Sequence, residues 1–159
     1  MASDWTARFS EMRASFYDGP PEAVARARAF YEEMVGSPAI VALTVALRLP
    51  LTEGGQDWAI EIADADRLEE LLDFYETVPL EREERGYLLE LIVATLEEAL
   101  QYPDPDAALI ARFQRHLLKA FPDHRETVAY WARLEDEGQG RFALSPLMRE
   151  IWALGHADG

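Results

Sequence analysis

The amino-acid sequence predicts an α+β fold that is predominantly helical, with six to seven helices around a central buried helix and one β-hairpin. Over most of the chain, apolar residues recur three or four positions apart, as they do along one side of an α-helix. Between about 41 and 63 they instead alternate with small or polar residues, which is typical of strands. An all-α fold is the alternative. The 159 residues are expected to form a single domain over 1–159.

Two amphipathic helices are predicted at the start of the chain, over 4–17 and 22–35. The inward residues of the first are Trp5, Phe9, Met12 and Phe16. The inward residues of the second are Val24, Ala27, Tyr31 and Met34. Glycine and proline follow each helix, as expected where a helix ends.

A hairpin is predicted over about 41–63, with its turn at Gly54-Gly55. Its first strand would alternate through Val41, Leu43, Val45, Leu47 and Leu49, and its second through Trp58, Ile60 and Ile62. The competing interpretation makes Ser37 an N-cap and Pro38 the first residue of a buried helix over 38–48. The alternation favours the strand, whereas the alanine content favours the helix.

Two helices separated by Val78-Pro79 occupy the middle of the chain. The first begins after Asp66, the predicted N-cap, and its apolar stripe is Leu68, Leu71, Leu72 and Tyr75. The second, over about 81–101, is apolar around more than half of its circumference, so we expect it to be the central, mostly buried helix. Its apolar residues are Leu88, Leu89, Leu91, Ile92, Val93, Leu96 and Leu100.

Three further helices are predicted in the last third of the chain. They cover 107–121, a segment opened by Pro122-Asp123 with Asp123 and Glu126 as capping residues, and a segment opened by Ser145-Pro146. A short strand is predicted over 142–144. No internal repeat or interdomain linker interrupts the chain.

The sequence contains no pattern that indicates catalysis, a metal or a cofactor. There is no cysteine, so a thiolate nucleophile and a cysteine-ligated zinc are excluded. His116, His124 and His156 lack a spacing that would place two ligands on one helical side. Phosphate-binding and nucleophile-elbow motifs do not occur. We therefore expect a protein that is not an enzyme and has no cofactor.

The net charge of −15 is concentrated in one part of the chain. Residues 53–106 contain 17 acidic residues against three arginines, a local net charge of −14. Such a segment repels phosphate backbones and anionic lipids, which argues against nucleic-acid or membrane binding, and it attracts basic proteins. No signal peptide opens the chain and no apolar run approaches the roughly 20 residues of a membrane span, so a cytoplasmic location is expected.

The candidate binding surface consists of acidic residues on the two middle helices, together with one aromatic residue. Glu69, Glu70, Asp73 and Glu76 lie opposite the apolar stripe of the first helix, and Phe74 at the edge of that stripe is a candidate aromatic anchor. Glu83, Glu90 and Glu97 recur every seven residues on the second helix and are therefore in line.

The chain resembles the small, acidic, mostly helical immunity proteins with which bacteria neutralise their own toxins. The resemblance lies in its size, its lack of cysteine and catalytic motifs, and the acids gathered in DRLEELLDFYE and EREER. The paired tyrosines of the colicin DNase immunity proteins are absent. The resemblance implies an inhibitor of a cognate toxin. The alternatives are an adaptor or chaperone-like module whose acidity serves solubility, with Arg112, Arg115 and Lys119 neutralising the acids, and an enzyme with an unrecognised site.

Overall fold

The computed structural model describes residues 2–52, 57–135 and 142–157. Those residues form nine α-helices and one short 3₁₀ helix, and none of them is in a strand. The all-α alternative is thus confirmed, and the prediction of a β-hairpin is wrong. The helices are α1 Ala2–Ser15, α2 Pro21–Val35, α3 Pro38–Leu47, α4 Trp58–Ile62, α5 Leu68–Thr77, α6 Arg82–Ala99, α7 Ala107–Lys119, α8 Phe121–Ala132 and α9 Ser145–Ala157.

Helix α3 occupies the segment in which a first strand was predicted. Ser37 is its N-cap and accepts a hydrogen bond from the Ile40 N–H at 3.3 Å, with Pro38 at the first helical position. The helix ends at Arg48, whose backbone is left-handed with a φ of 49°. The exposed residues are Pro38, Ala42 and Ala46, which lie four apart. A narrow stripe of small residues on an otherwise buried helix therefore produced the apparent alternation.

The second predicted strand is also helical. Trp58 and Ile62 of α4 are buried, four positions apart, whereas Ile60 points outward and is 62% exposed. The predicted turn at Gly54-Gly55 lies outside the described residues. The strand predicted over 142–144 is wrong as well, since those residues form a bend and a turn before α9.

The described residues divide into two compact units, Met1–Ile62 with Pro79–Leu91, and Ala63–Val78 with Ile92–Gly159. The prediction of a single domain stays a prediction. Helix α6 forms where the central helix was expected, and its residues 88–89 and 91–96 are buried. It does not organise one core, however, because 82–91 belong to the first unit and 92–99 to the second.

The first unit packs α2 against both α1 and α3. Phe16 and Tyr31 are fully buried and meet edge to face, with ring centroids 5.3 Å apart. The Tyr17 hydroxyl lies 2.6 Å from the Leu49 carbonyl oxygen and 2.9 Å from that of Thr44. The single hydroxyl hydrogen thus points at carbonyls at the C-terminal end of α3 and just beyond it, and it ties Tyr17 to that end of the helix.

The second unit is arranged around α7, which packs against α5, α8 and α9. Asp106 is its N-cap and accepts from the N–H groups of Ala108 and Leu109. Phe113 and Leu117 of α7 are buried. Helix α8 begins at Phe121 without a side-chain cap, so the capping roles predicted for Asp123 and Glu126 are wrong.

Helices α8 and α9 are joined through the C-terminal end of α8. Arg149 donates from Nε to the Ala132 carbonyl at 2.7 Å and from Nη2 to the Arg133 carbonyl at 2.9 Å. The Ser145 hydroxyl donates to the Trp131 carbonyl at 2.8 Å. These three bonds satisfy carbonyls that the helix leaves without a partner.

Two helical glycines have opposite surroundings and give a matched test of the packing. A Cβ at Gly86 of α6 would meet nothing within 4 Å, so Gly86→Ala should raise the free energy of unfolding by about 0.5–1 kcal/mol through helix propensity. A Cβ at Gly155 of α9 would lie 2.6 Å from the Phe121 ring, so Gly155→Ala should lower stability by about 1–2 kcal/mol through overpacking. Urea unfolding measures both changes. Equal stabilisation by the two variants would show that α9 does not pack this closely on Phe121.

Candidate protein-binding site

Helix α5 separates its apolar and acidic residues onto opposite sides. Leu68, Leu71 and Leu72 are buried, at most 4% exposed. The predicted acids on the other side are all exposed, and they are Glu69, Glu70, Asp73 and Glu76. The chain enters α5 through the 3₁₀ turn Ala65–Arg67, in which Asp64 caps by accepting from the Asp66 N–H at 3.0 Å. The N-cap predicted at Asp66 is therefore wrong by two residues.

Arg67 holds one of these acids through a local ion pair. Its Nε and Nη2 donate to the two carboxylate oxygens of Glu70, at 2.9 and 2.8 Å. These bonds lower the pKa of Glu70. A bidentate pair of this kind fixes the orientation of the carboxylate.

Arg112 of α7 reaches α5 and binds two more of the acids. Its Nη2 lies 2.8 Å from Asp73 Oδ1 and 2.9 Å from Glu76 Oε2, and its Nε donates to Glu76 Oε1 at 3.1 Å. His116, one turn further along α7, places Nε2 2.6 Å from Glu76 Oε1. The hydrogen bond from Arg112, followed by that from His116, lowers the pKa of Glu76. We call this set of four residues the Arg112 clamp.

The Arg112 clamp neutralises only part of the acidic surface. Four acids face two arginines, which leaves a net charge of −2 with His116 neutral. In the part of the chain that the structure describes, no hydrogen bond or ion pair engages the carboxylate of Glu69. Arg115 and Lys119 are exposed on α7, and neither forms an ion pair with a described residue. Of the three basic residues that were candidate neutralisers, the structure brings only Arg112 to the acids.

The predicted residues outside the acidic side of α5 have three different environments. Phe74 is half-buried, and its role as an anchor stays a prediction. Glu83 and Glu90 are exposed on α6, and the neighbouring atoms that partly desolvate the Glu90 carboxyl raise its pKa. Glu97 accepts from the backbone N–H groups of Ala143 and Leu144 at 2.8 and 2.7 Å. Both oxygens of Glu97 thus bind the segment before α9, and its role in binding a partner stays a prediction.

Replacing Arg112 tests how much the clamp contributes to stability and how that contribution depends on pH. Arg112→Met keeps the aliphatic stem and should lower the free energy of unfolding at pH 7 by about 0.5–1 kcal/mol, since Asp73 remains largely exposed to water. The lowered pKa of Glu76 means that this stabilisation is fully present above its ordinary pKa of 4.5. It is lost as the pH falls through the lowered value.

The measurement is denaturant unfolding of the wild type and Arg112→Met between pH 7 and pH 2.5. Arg115→Met on the exposed side of α7 is the matched control, and it should change stability by less than about 0.5 kcal/mol. If the difference in the free energy of unfolding between the wild type and Arg112→Met does not change with pH, the clamp does not depend on ionised carboxylates.

The described residues offer no metal centre, since no three histidine, aspartate or glutamate side chains among them are placed to hold an ion. None of the helices within the described ranges has the length and apolar character needed to cross a bilayer. Comparison of the chain with protein-family models, with curated proteins and with solved structures finds no match.

Proposed function

We propose that this protein binds and inhibits a basic partner protein through the acidic side of α5, and that it is a cytoplasmic immunity protein against a cognate bacterial toxin. The observation that carries the proposal is the concentration of charge: 53–106 have a net charge of −14 in a chain of −15. A general need for solubility would be met equally well by acids spread over the whole chain. Acids gathered on the exposed side of one helix, as on α5, instead steer a basic partner to that part of the surface.

The arrangement on α5 supports a binding role in a second way. Arg67 and the Arg112 clamp hold three of the four carboxylates in defined positions. A surface whose side chains are already ordered loses less conformational entropy when a partner binds. Glu69 adds a carboxylate with no ion pair among the described residues, so it can accept a cation of the partner without losing an internal contact.

Inhibition of a toxin follows from the same electrostatics. Enzymes that act on nucleic acids or other anionic substrates have basic clefts, and an acidic surface of an inhibitor competes directly for such a cleft. Charges at the rim of the interface accelerate association, whereas a desolvated aromatic anchor such as Phe74 slows dissociation. The protein itself contributes no reaction chemistry in this proposal.

The alternative function, an adaptor or chaperone-like module, is favoured by one observation. Arg112 forms ion pairs with Asp73 and Glu76. A surface that neutralises its own acids in this way needs no basic partner. On that interpretation the remaining acidity serves solubility. The two functions differ in whether a basic protein binds at all.

The experiment that separates them is a pull-down from the native host, with the wild-type chain as bait and proteins identified by mass spectrometry. We expect a strongly basic protein that the wild type retains at low salt and whose toxicity it suppresses when both are expressed in one cell. Recovery of acidic or neutral proteins alone would favour the adaptor.

A further inference from the structure

A shallow groove, open to solvent, lies on one side of α6 in the first unit. It is lined by Arg82, Glu83, Gly86, Tyr87 and Glu90, and it has a volume of about 510 Å³. The space above Gly86 is open, because a Cβ at position 86 would meet no atom within 4 Å. The groove therefore has room for a side chain from another molecule.

The aromatic residue of the groove is held in place by the core. Tyr87 is half-buried and meets Trp58 edge to face, with ring centroids 6.2 Å apart and an interplanar angle of 88°. Trp58 is itself only 3% exposed. The orientation of the Tyr87 ring is thus set by buried packing and does not need a ligand to order it.

Two exposed carboxylates accompany this ring on the same side of the helix. Glu83 precedes Tyr87 by four residues and Glu90 follows it by three, and both spacings bring side chains together on a helix. Arg82 contributes one positive charge, so the groove has a net charge of −1. A ring with two adjacent carboxylates attracts a cation and repels an anionic ligand.

The chain already contains the kind of contact that such a groove would make. The Arg48 guanidinium lies 4.7 Å from the centroid of the Tyr17 ring and 3.8 Å from the Asp18 carboxylate. Arg8 lies in the same way over Phe30, at 5.0 Å. A planar, weakly hydrated guanidinium can lie over a ring in this way while its edge stays free for a carboxylate, as it does at Arg48.

We propose that the groove binds an arginine side chain of the basic partner, with its guanidinium over the Tyr87 ring and between the carboxylates of Glu83 and Glu90. This inference rests on the proposed function and specifies the partner chemistry at a second contact. A lysine fits less well, because a compact ammonium cannot stack and be held by two carboxylates at once. Arg82 lines the same groove and its positive charge repels a second cation, so its removal should strengthen the interaction.

The direct test uses a short peptide and needs no identified partner. Acetyl-Gly-Arg-Gly-amide is titrated into the isotopically labelled full chain, and backbone amide shifts are followed by NMR. The same peptide with citrulline, which keeps the shape of arginine but lacks its charge, is the control. We expect saturable shifts at Gly86 and Tyr87 with the arginine peptide only. Absent shifts, or equal shifts with citrulline, would overturn the proposal.

Two variants with opposite expected effects sharpen this test. Gly86→Leu fills the groove with a residue that favours the helix, so the chain stays folded while binding falls by at least about tenfold. Arg82→Gln removes the competing cation and should tighten binding by about two- to threefold. Unchanged binding by Gly86→Leu would place the peptide elsewhere.

Binding of the peptide should also weaken as the pH falls through the raised pKa of Glu90, because protonation removes the charge that attracts the guanidinium.

The partner recovered by pull-down then separates the two proposals. If Gly86→Leu binds that partner at least about tenfold more weakly than Gly86→Ala does, the groove is part of the interface. If Gly86→Leu binds it normally while reversal of the α5 acids abolishes binding, the inhibitor function stands and the groove proposal falls. If the peptide binds but no basic partner is recovered, the arginine site stands and the inhibitor function falls.

Discussion

Leu117→Ala is expected to lower the free energy of unfolding by about 2–5 kcal/mol. Leu117 is fully buried on α7, the helix that packs against α5, α8 and α9. The loss has two causes, the transfer free energy of the removed methyl and methylene groups and the cavity that the surrounding helices cannot close. Because α7 is packed against three helices, its surroundings have little freedom to collapse into the space.

Urea unfolding followed by circular dichroism measures this change, and Leu154→Ala is the matched control. Leu154 is 42% exposed on α9, so its truncation should cost less than about 1 kcal/mol. Equal effects of the two variants, or a loss at Leu117 below about 1 kcal/mol, would show that the core of the second unit does not lie on α7.

Glu69→Lys combined with Glu70→Lys is expected to weaken binding of the basic partner by at least about 30-fold, or about 2 kcal/mol. The reversal replaces two attractive charges by two repulsive ones at the centre of the proposed surface. This pair is chosen over Glu70 with Asp73, because a lysine at position 73 would face Arg112 and break the clamp between α5 and α7. The Arg112 clamp stays intact in the pair chosen. Glu70→Lys does break the local ion pair with Arg67, but Glu70 is largely exposed to water, so the loss of stability should be no more than about 1 kcal/mol.

Glu32→Lys combined with Glu33→Lys provides a control with the same change in net charge. These two acids are adjacent and exposed on α2, in the first unit. If the partner responds to local contacts on α5, the α2 variant should bind within about threefold of the wild type once salt screens long-range attraction. Equal weakening by both variants would mean that only the total charge matters and that α5 is not the interface.

Much of the fold could be predicted from local patterns. The stripe of Leu68, Leu71 and Leu72 follows helical spacing, and these residues are buried as that spacing requires. The segment of α3 could not be assigned in this way, since a short helix buried on most sides carries no amphipathic signal. Ser37-Pro38 is a signal for the start of a helix, and it predicts the structure of this segment better than the alternation does.

The candidate site was predictable only in part, because its contacts join residues that are far apart in the sequence. The exposure of the α5 acids follows from the opposite apolar stripe. Their binding to Arg112 joins residues 36 to 39 positions apart, and the contact of Glu97 with Ala143 spans 46 positions. No local pattern encodes such pairs. The groove at Gly86 was missed for a similar reason, because its ring is oriented by Trp58, which is distant in the sequence.

The salt dependence of the affinity between the full chain and its basic partner shows directly whether the acidic side of α5 forms the interface. Isothermal titration in 50 to 500 mM salt measures it for the wild type and for the Glu69→Lys, Glu70→Lys variant. We expect the wild-type affinity to fall steeply as salt rises, and the variant to bind more weakly with a shallower dependence on salt. An affinity that does not change with salt, and is the same for both proteins, would contradict the claim that the acidic side of α5 binds the partner.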